Sequence, residues 1–266
     1  MKSSLSSVKV RTAMNQTLII VPTYNEKENV QALADELYKC SAELDVLFVD
    51  DNSPDGTGAV CDRLAADDKR INVLHRKDKQ GLGRAYVAGF KWALEREYNY
   101  IFEMDADFSH RPSDIPALRE AADNADLVLG SRYKGGVRVI NWPLNRLVLS
   151  KGAAWYVQLI TGMPFADPTG GYKCYRREVL ESIPLDEIKS NGYSFQIEMT
   201  YQAWMRGFKV VEIPITFEER RQGHSKMNSS IIREALWRVW KLPLAWKGRR
   251  SPKKIHLESI VNKGGG

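Results

Sequence analysis

From residue 17 the chain alternates short runs of apolar, β-branched and aromatic residues with longer stretches whose apolar positions recur every three to four residues. The short runs predict strands at 17–22, 45–50, 71–75, 98–104 and 126–130, and the longer stretches predict helices at 27–40, 57–64, 82–97 and 113–122. Strand and helix in strict alternation imply a mostly parallel, twisted sheet with right-handed crossovers and helices on both faces. In such sheets ligands gather at the carboxyl ends of the strands. Further on, the pattern predicts helices at 143–161 and 194–206, a strand at 210–217 and a last helix at 229–242. The expected layout is one α/β domain over 17–228, an amphipathic helix within 229–246, and basic, flexible tails over 1–16 and 247–266. No internal repeat or low-complexity linker interrupts it.

Composition narrows the class. With 266 residues, 43% of them hydrophobic and 27% charged, the chain can bury a sizeable core and is neither disordered nor fibrous. The net charge of +6 would suit a nucleic-acid binder, but it is unevenly placed. Residues 1–16 carry +3, 131–151 carry +5, 220–246 carry +5 and 247–266 carry +5, which leaves the other segments at −12. No nucleic-acid-binding signature accompanies the bases, so none is expected as a partner. Cys40, Cys61 and Cys174 are far apart and odd in number, which argues against a disulfide framework or a zinc site and for a reducing, cytoplasmic setting. No run approaches the length that spans a bilayer, and the first sixteen residues lack a signal-type apolar stretch.

Three strands end in polar or acidic clusters. The first runs Pro22-Thr23-Tyr24-Asn25-Glu26, the second Val49-Asp50-Asp51-Asn52-Ser53-Pro54-Asp55-Gly56-Thr57, the third Met104-Asp105-Ala106-Asp107. If the chain turns there, Asp105 and Asp107 can share a hard divalent cation, Mg²⁺ or Mn²⁺, completed by water and phosphate oxygens. Their other reading is a pair of solvated turn acids. Asp51 can accept from a nucleobase or ribose, as acids after an early strand do in nucleotide-binding folds, while Asp50, Asn52 and Asp55 compete as turn caps. Gly81-Leu82-Gly83 lacks phosphate-loop spacing and reads as a structural turn. Arg132, then Arg146 and Ser150 four apart on one helix face, and the run Arg220 to Lys226 offer cations to a diphosphate, or are surface bases.

Taken in order, the segments PTYNE (22–26), VDDNSPDGT (49–57), GLGRAYVAGF (81–90), MDADFSH (104–110), GSRYKGG (130–136), DPTGGYKCYRREVL (167–180), GYSFQIEM (192–199) and RRQGHSKM (220–227) resemble the dolichol-phosphate mannosyltransferase family, a branch of the family 2 glycosyltransferases. The resemblance implies the GT-A fold, a Rossmann-like α/β three-layer sandwich around a mostly parallel sheet. It implies that Pro22, Tyr24, Glu26, Val49 and Asp51 hold the donor nucleotide, that Asp105, Ala106 and Asp107 meet the diphosphate and metal, and that Arg220 and Lys226 close over the diphosphate. Arg132, Arg146 and Ser150 match positions that receive the acceptor phosphate, and Asp107, Arg132, Arg220 and Lys226 would carry catalysis. Many relatives place Gln two residues after the second aspartate as a further metal contact, where this chain has Ser109.

The implied reaction is inverting transfer of a hexose, mannose from GDP-mannose, to a polyprenyl or dolichyl monophosphate. A phosphate monoester carries about −1.5 to −2 charge near neutrality and needs no strong base, so His75, His110, His224 and His256 read as surface or structural residues. Glucose from UDP-glucose is the neighbouring alternative; an inactive scaffold is disfavoured by the intact aspartate pair. A lipid acceptor also implies a peripheral position on the cytoplasmic face of an anionic membrane, with a membrane-anchoring partner subunit as one route. Trp237, Trp240 and Trp246 beside Arg233, Arg238 and Lys241, and Leu147, Val148, Trp155, Tyr156, Leu159 and Ile160 on the 143–161 helix, are the candidate lipid-facing surfaces. Packing of the last helix on the core is the other reading of its tryptophans.

Overall fold

The computed structural model describes residues 16–41, 43–218 and 229–246, by backbone alone over 229–236. Both tails and the loop carrying Arg220, Lys226 and His224 lie outside the described residues. The strands are β1 (Thr17–Thr23), β2 (Leu44–Asp50), β3 (Ile71–His75), β4 (Tyr100–Glu103), β5 (Leu127–Ser131), β6 (Val139–Ile140), β7 (Lys173–Arg176), β8 (Val210–Pro214) and β9 (Phe217–Glu218). The helices are α1 (Val30–Cys40), α2 (Thr57–Asp67), α3 (Leu82–Leu94), α4 (Ile115–Ala121), α5 (Leu144–Thr161), α6 (Arg177–Ser182), α7 (Gly192–Met205) and α8 (Ser229–Ala245).

Seven strands form one sheet in the order β3-β2-β1-β4-β7-β5-β8, and β6 pairs with β9 apart from it. Neighbours in the large sheet are parallel except at β7, which runs antiparallel to both β4 and β5. Alternate residues of a strand face opposite sides. Accordingly Leu18, Ile20, Leu47 and Val49 join a core with Tyr86 and Phe90 of α3 and Phe195 of α7, while Ile19, Val21, Val46 and Phe48 join a second core with Leu33 of α1, Cys61 of α2 and Leu118 of α4. Helices cover both faces, as the βαβ pattern requires.

The sequence pattern does not announce β6 or α6, and two further elements depart from it. The stretch 210–217 is not one strand: β8 pairs with β5 as far as Pro214, the Ile215 N–H still donates to the Ser131 carbonyl (3.0 Å), and the chain then leaves the large sheet so that β9 pairs with β6. The strand β7 carries no pattern that announces it, since four residues containing two bases look like surface. Paired on both sides, Lys173 is nonetheless buried, and Cys174 and Tyr175 enter opposite cores.

α5 and α8 pack against each other. Val148, Trp155 and Leu159 of α5 and Trp237, Trp240 and Leu244 of α8 are all more than half exposed, whereas Tyr156, Ile160, Leu242 and Trp246 pack against the core. The candidate lipid-facing residues thus divide between an outward apolar face and the interior. Among the described residues no helix is long and apolar enough to cross a membrane.

Candidate active site

A cavity of about 430 Å³ opens at the carboxyl ends of β1, β2, β4 and β5. Pro22, Tyr24, Glu26, Asp51, Asp105, Ala106, Asp107, Arg132 and Arg146 all line it. Val49 and Ser150 do not: Val49 is wholly buried on the sheet beneath α3, and Ser150 Oγ accepts a 2.6 Å hydrogen bond from Tyr133 Oη.

At one end two asparagines turn the chain sharply, Asn25 at φ 60° and Asn52 at φ 56°, a region that Asn tolerates. Asp50 is consumed as a cap, accepting from Thr23 Oγ1 (3.1 Å) and from the Ser53 backbone N–H (3.1 Å), and Asp55 accepts from the Thr57 and Lys27 N–H groups. Asp51 faces the cavity instead. Burial pushes its carboxyl above the usual range, against the pull of the Arg76 guanidinium that hydrogen-bonds it. Lys79 Nζ stands 3.5 Å over the Tyr24 ring, so the apolar wall of this end is positively charged. The Gly81-Leu82-Gly83 turn is structural at Gly83, where a Cβ would come within 2.5 Å of the Ser190 carbonyl; Gly81 lines the cavity.

In the centre, Phe108 at φ 60° holds a backbone conformation that bulky side chains rarely adopt. Asp105 and Asp107, which precede it, both line the cavity. Asp105 Oδ1 accepts from Tyr86 Oη (3.3 Å) and Asp107 Oδ1 accepts from the Ser109 N–H (3.0 Å). His110 is structural: its Nδ1 accepts the Asp105 N–H (3.1 Å), and its ring stacks on Tyr172 with centroids 4.8 Å apart. Among the described residues no three acidic, imidazole or thiol groups converge as a closed metal cage. A pair of carboxylates open to a cavity is nevertheless a donor set that fits Mg²⁺ or Mn²⁺, which retain water and phosphate oxygens. Ser109 lines the same cavity, and its Oγ, another hard oxygen, is buried with no hydrogen-bond partner.

The third region is basic and aromatic. Arg132 is 6% exposed and its fork is occupied: Nε donates to Asp167 Oδ2 and Nη2 to Asp167 Oδ1, both at 2.7 Å, and Nη2 also reaches Thr169 Oγ1 at 2.8 Å. Burial disfavours both charges, but each stabilises the other, holding the guanidinium pKa up and the Asp167 carboxyl down. Arg146 stacks 4.2 Å over the Trp142 ring, and Trp142 Nε1 is a buried donor with no partner. Asp167, Thr169 and Trp142 carried no local signal of a role; the Arg132–Asp167 pair joins residues 35 apart.

Beneath the aspartates lies a buried polar layer. Glu103 and Lys173 face each other across β4 and β7. Burial raises Glu103 to about 7, against Lys173, and lowers Lys173 to about 8, against Glu103. Between pH 4.5 and 7 the folded chain therefore keeps a proton on Glu103 that the unfolded chain has lost, and stability falls as pH rises; between 8 and 10.5 the unfolded chain holds the extra proton, on Lys173, and stability rises. Thermal melts are expected to show Glu103→Gln gaining on the parent as pH goes from 5 to 7. A difference that stays flat over that window would contradict the raised carboxyl.

The family model for glycosyl transferase family 2 matches residues 18–183, from β1 to just beyond α6. The chain belongs to glycosyltransferase family 2. Within the family it is 52% identical, over 226 residues, to polyprenol monophosphomannose synthase of Mycolicibacterium smegmatis, covering 84% of this chain and 85% of that one. It is 47% identical, over 238 residues, to undecaprenyl-phosphate mannosyltransferase of Micrococcus luteus, covering 89% and 98%. Among solved structures, glucosyl-3-phosphoglycerate synthase from Mycobacterium tuberculosis in complex with Mn²⁺, UDP and glucosyl-3-phosphoglycerate superposes with a TM-score of 0.62 at 16% identity, over 88% of this chain and 80% of that one. The mannosyltransferase PcManGT from Pyrobaculum calidifontis, in complex with GDP-Man and Mn²⁺, gives 0.53 at 18% identity, over 92% and 79%. These likenesses establish the shared GT-A fold of this family 2 glycosyltransferase.

Proposed function

We propose that the enzyme transfers mannose from GDP-mannose to the phosphate of a polyprenyl monophosphate, with inversion, giving a β-linked polyprenyl phosphomannose and GDP. The observation that carries this reading is a single cavity with an aspartate pair at its centre, an acid-bearing nucleotide end and an arginine–aromatic end. The two relatives near half identity, both named for polyprenol mannosylation, support the same substrates.

The residues divide the work. Tyr24, Glu26 and Asp51 bind the nucleoside, with Asp51 accepting from the base or ribose. Asp105 and Asp107, with Ser109 beside them, hold a divalent cation, which when bound neutralises charge on the leaving diphosphate. Arg146 supplies a positive charge to the acceptor phosphate, and the Trp142 N–H and the unshared edge of Arg132 flank it. Arg220 and Lys226 would add charge from the late loop. The acceptor oxygen is already anionic, so alignment with the anomeric carbon takes the place of a general base. This agrees with His110, whose Nδ1 lone pair is committed to the Asp105 N–H. Val49 and Ser150 are better read as supports, the first of the sheet and the second of Tyr133.

The test is a panel of radiolabelled donors with polyprenyl phosphate and Mg²⁺ or Mn²⁺. Label is expected in the organic phase from GDP-mannose and not from UDP-glucose; the reverse outcome would select the glucosyl reading.

The acceptor's lipid tail further implies peripheral binding to a membrane through the outward face of α5 and α8. Trp155 and Trp237 are each 65% exposed, beside Lys151 and Lys241, a combination suited to an anionic interface. Flotation with anionic vesicles is expected to carry the parent chain, and the double variant Trp155→Glu, Leu159→Glu to lose about tenfold or more in partitioning. Its turnover of a short, water-soluble polyprenyl phosphate is expected to be unchanged. Equal flotation of the two proteins would remove α5 from the contact.

A further inference from the structure

Glu212 lies on β8, the strand that ends the large sheet, and β8 runs parallel to β5 with Glu212 opposite Leu129. β5 leads directly into Arg132. The two carboxylate oxygens of Glu212 take two successive backbone donors of one loop: Oε2 accepts from the Ala166 N–H and Oε1 from the Asp167 N–H, both at 2.9 Å. That loop, residues 162–172 between α5 and β7, has no strand or helix of its own. Its backbone N–H groups therefore need partners from elsewhere. Glu212 meets that need at the residue whose side chain holds Arg132.

The contacts form a relay. Glu212 fixes the backbone of Asp167, the Asp167 carboxylate accepts from Arg132 Nε, Nη2 and backbone N–H, and Thr169 of the same loop also engages Nη2. A two-point contact between guanidinium and carboxylate sets the plane of the guanidinium. The place of Asp167 therefore sets where the third corner, Nη1, points. Arg132 and Thr169 line the cavity, whereas Glu212 stands outside it. We propose that Glu212 is a positioning residue for acceptor use: by holding the backbone at Ala166 and Asp167 it fixes the direction from which Arg132 meets the acceptor phosphate. The inference rests on the reading of Arg132 as a contact to polyprenyl phosphate.

The test is a double-mutant cycle. Parent, Glu212→Gln, Arg132→Lys and the double variant are compared in KM for polyprenyl phosphate, in GDP binding and in melting temperature. Gln keeps the shape and one acceptor oxygen but turns an NH₂ group toward the other backbone N–H, which is left without a partner. Glu212→Gln is expected to raise KM for polyprenyl phosphate by about tenfold and to bind GDP as the parent does. In the Arg132→Lys background it is expected to add nothing to KM, because an ammonium lacks the two-point contact through which Asp167 acts. A clamp with a structural role alone would lower the melting temperature and leave KM unchanged, and that outcome overturns the proposal. An equal rise of KM in both backgrounds overturns it too. If Glu212→Gln does not fold, Glu212→Asp, which keeps the charge but draws the carboxylate back by one methylene, must show the same raised KM and the same non-additivity; additive effects there overturn it as well. Arg132→Lys with the parent's KM fails the reading of Arg132, and the inference falls with it; a raised KM in Arg132→Lys beside an unchanged one in Glu212→Gln fails the inference alone.

Discussion

Asn in place of Asp105 or Asp107 is expected to abolish transfer while leaving the fold intact. The amide keeps the shape of the carboxyl, and its Oδ1 can still accept from Tyr86 Oη at position 105 or from the Ser109 N–H at position 107. What disappears is negative charge at the one place where the cavity offers a hard cation two carboxylates. Loss of a single preorganised electrostatic contact to a leaving group costs on the order of 10²–10³ in rate, and loss of the cation itself costs more. Initial rates across a Mg²⁺ or Mn²⁺ titration, set beside melting temperatures, provide the check. A variant within tenfold of the parent at saturating metal would remove the assignment of these two residues.

Asp167→Asn is expected to damage both stability and acceptor use. The Asp167 carboxylate accepts from Arg132 Nε, Nη2 and backbone N–H, with all partners buried. Removing one member of a buried pair leaves an uncompensated charge, at about 3–5 kcal/mol. For a domain of this size that corresponds to a fall of roughly 10 °C in Tm. Arg132 can present its remaining edge to an acceptor phosphate only while Asp167 holds the other edge, so KM for polyprenyl phosphate is expected to rise while GDP affinity is kept. Arg132→Lys is expected to reproduce the effect, since an ammonium cannot span both carboxylate oxygens. Because the folded Asp167 carboxyl titrates below its ordinary value, the pair's contribution is present above the unfolded pKa and is lost only as pH falls through the depressed one. A normal melting temperature and an unchanged KM in Asp167→Asn would show that Arg132 needs no such support.

Local pattern made most of this fold legible. β1, β2 and β3 and the helices between them announce themselves because each buries one strand or stripe against its sequence neighbours, and periodicity records that directly. The three strand-end clusters are legible for the same reason: polar residues at the end of an apolar run have nowhere to go but the sheet edge. What pattern does not record is pairing at a distance. β7 carries Lys173, a residue that normally signals solvent, and only its position between β4 and β5 buries it. Arg132 looks like an exposed cation until Asp167 arrives beside it. Val49 illustrates the opposite case, since its place in a motif suggested ligand contact and its side chain turns to the core. Asp50 and Asp51, adjacent and chemically identical, were separable only by geometry: one caps its own turn and the other faces the cavity.

The antiparallel insertion of β7 also bears on how the chain assembles. β1, β2, β3 and β4 lie within the first 103 residues and pair with one another, but the strands that β5 pairs with, β7 and β8, come more than 40 residues later. During synthesis the strand that leads into Arg132 therefore waits, unpaired on both edges, until residues 173–176 have left the ribosome. The two poles of the cavity, Asp105 after β4 and Arg132 after β5, are brought into one sheet by that single late strand. Contacts of such sequence separation slow folding and leave strand edges open to wrong partners, so the segment that completes the active site is also the one on which productive folding waits.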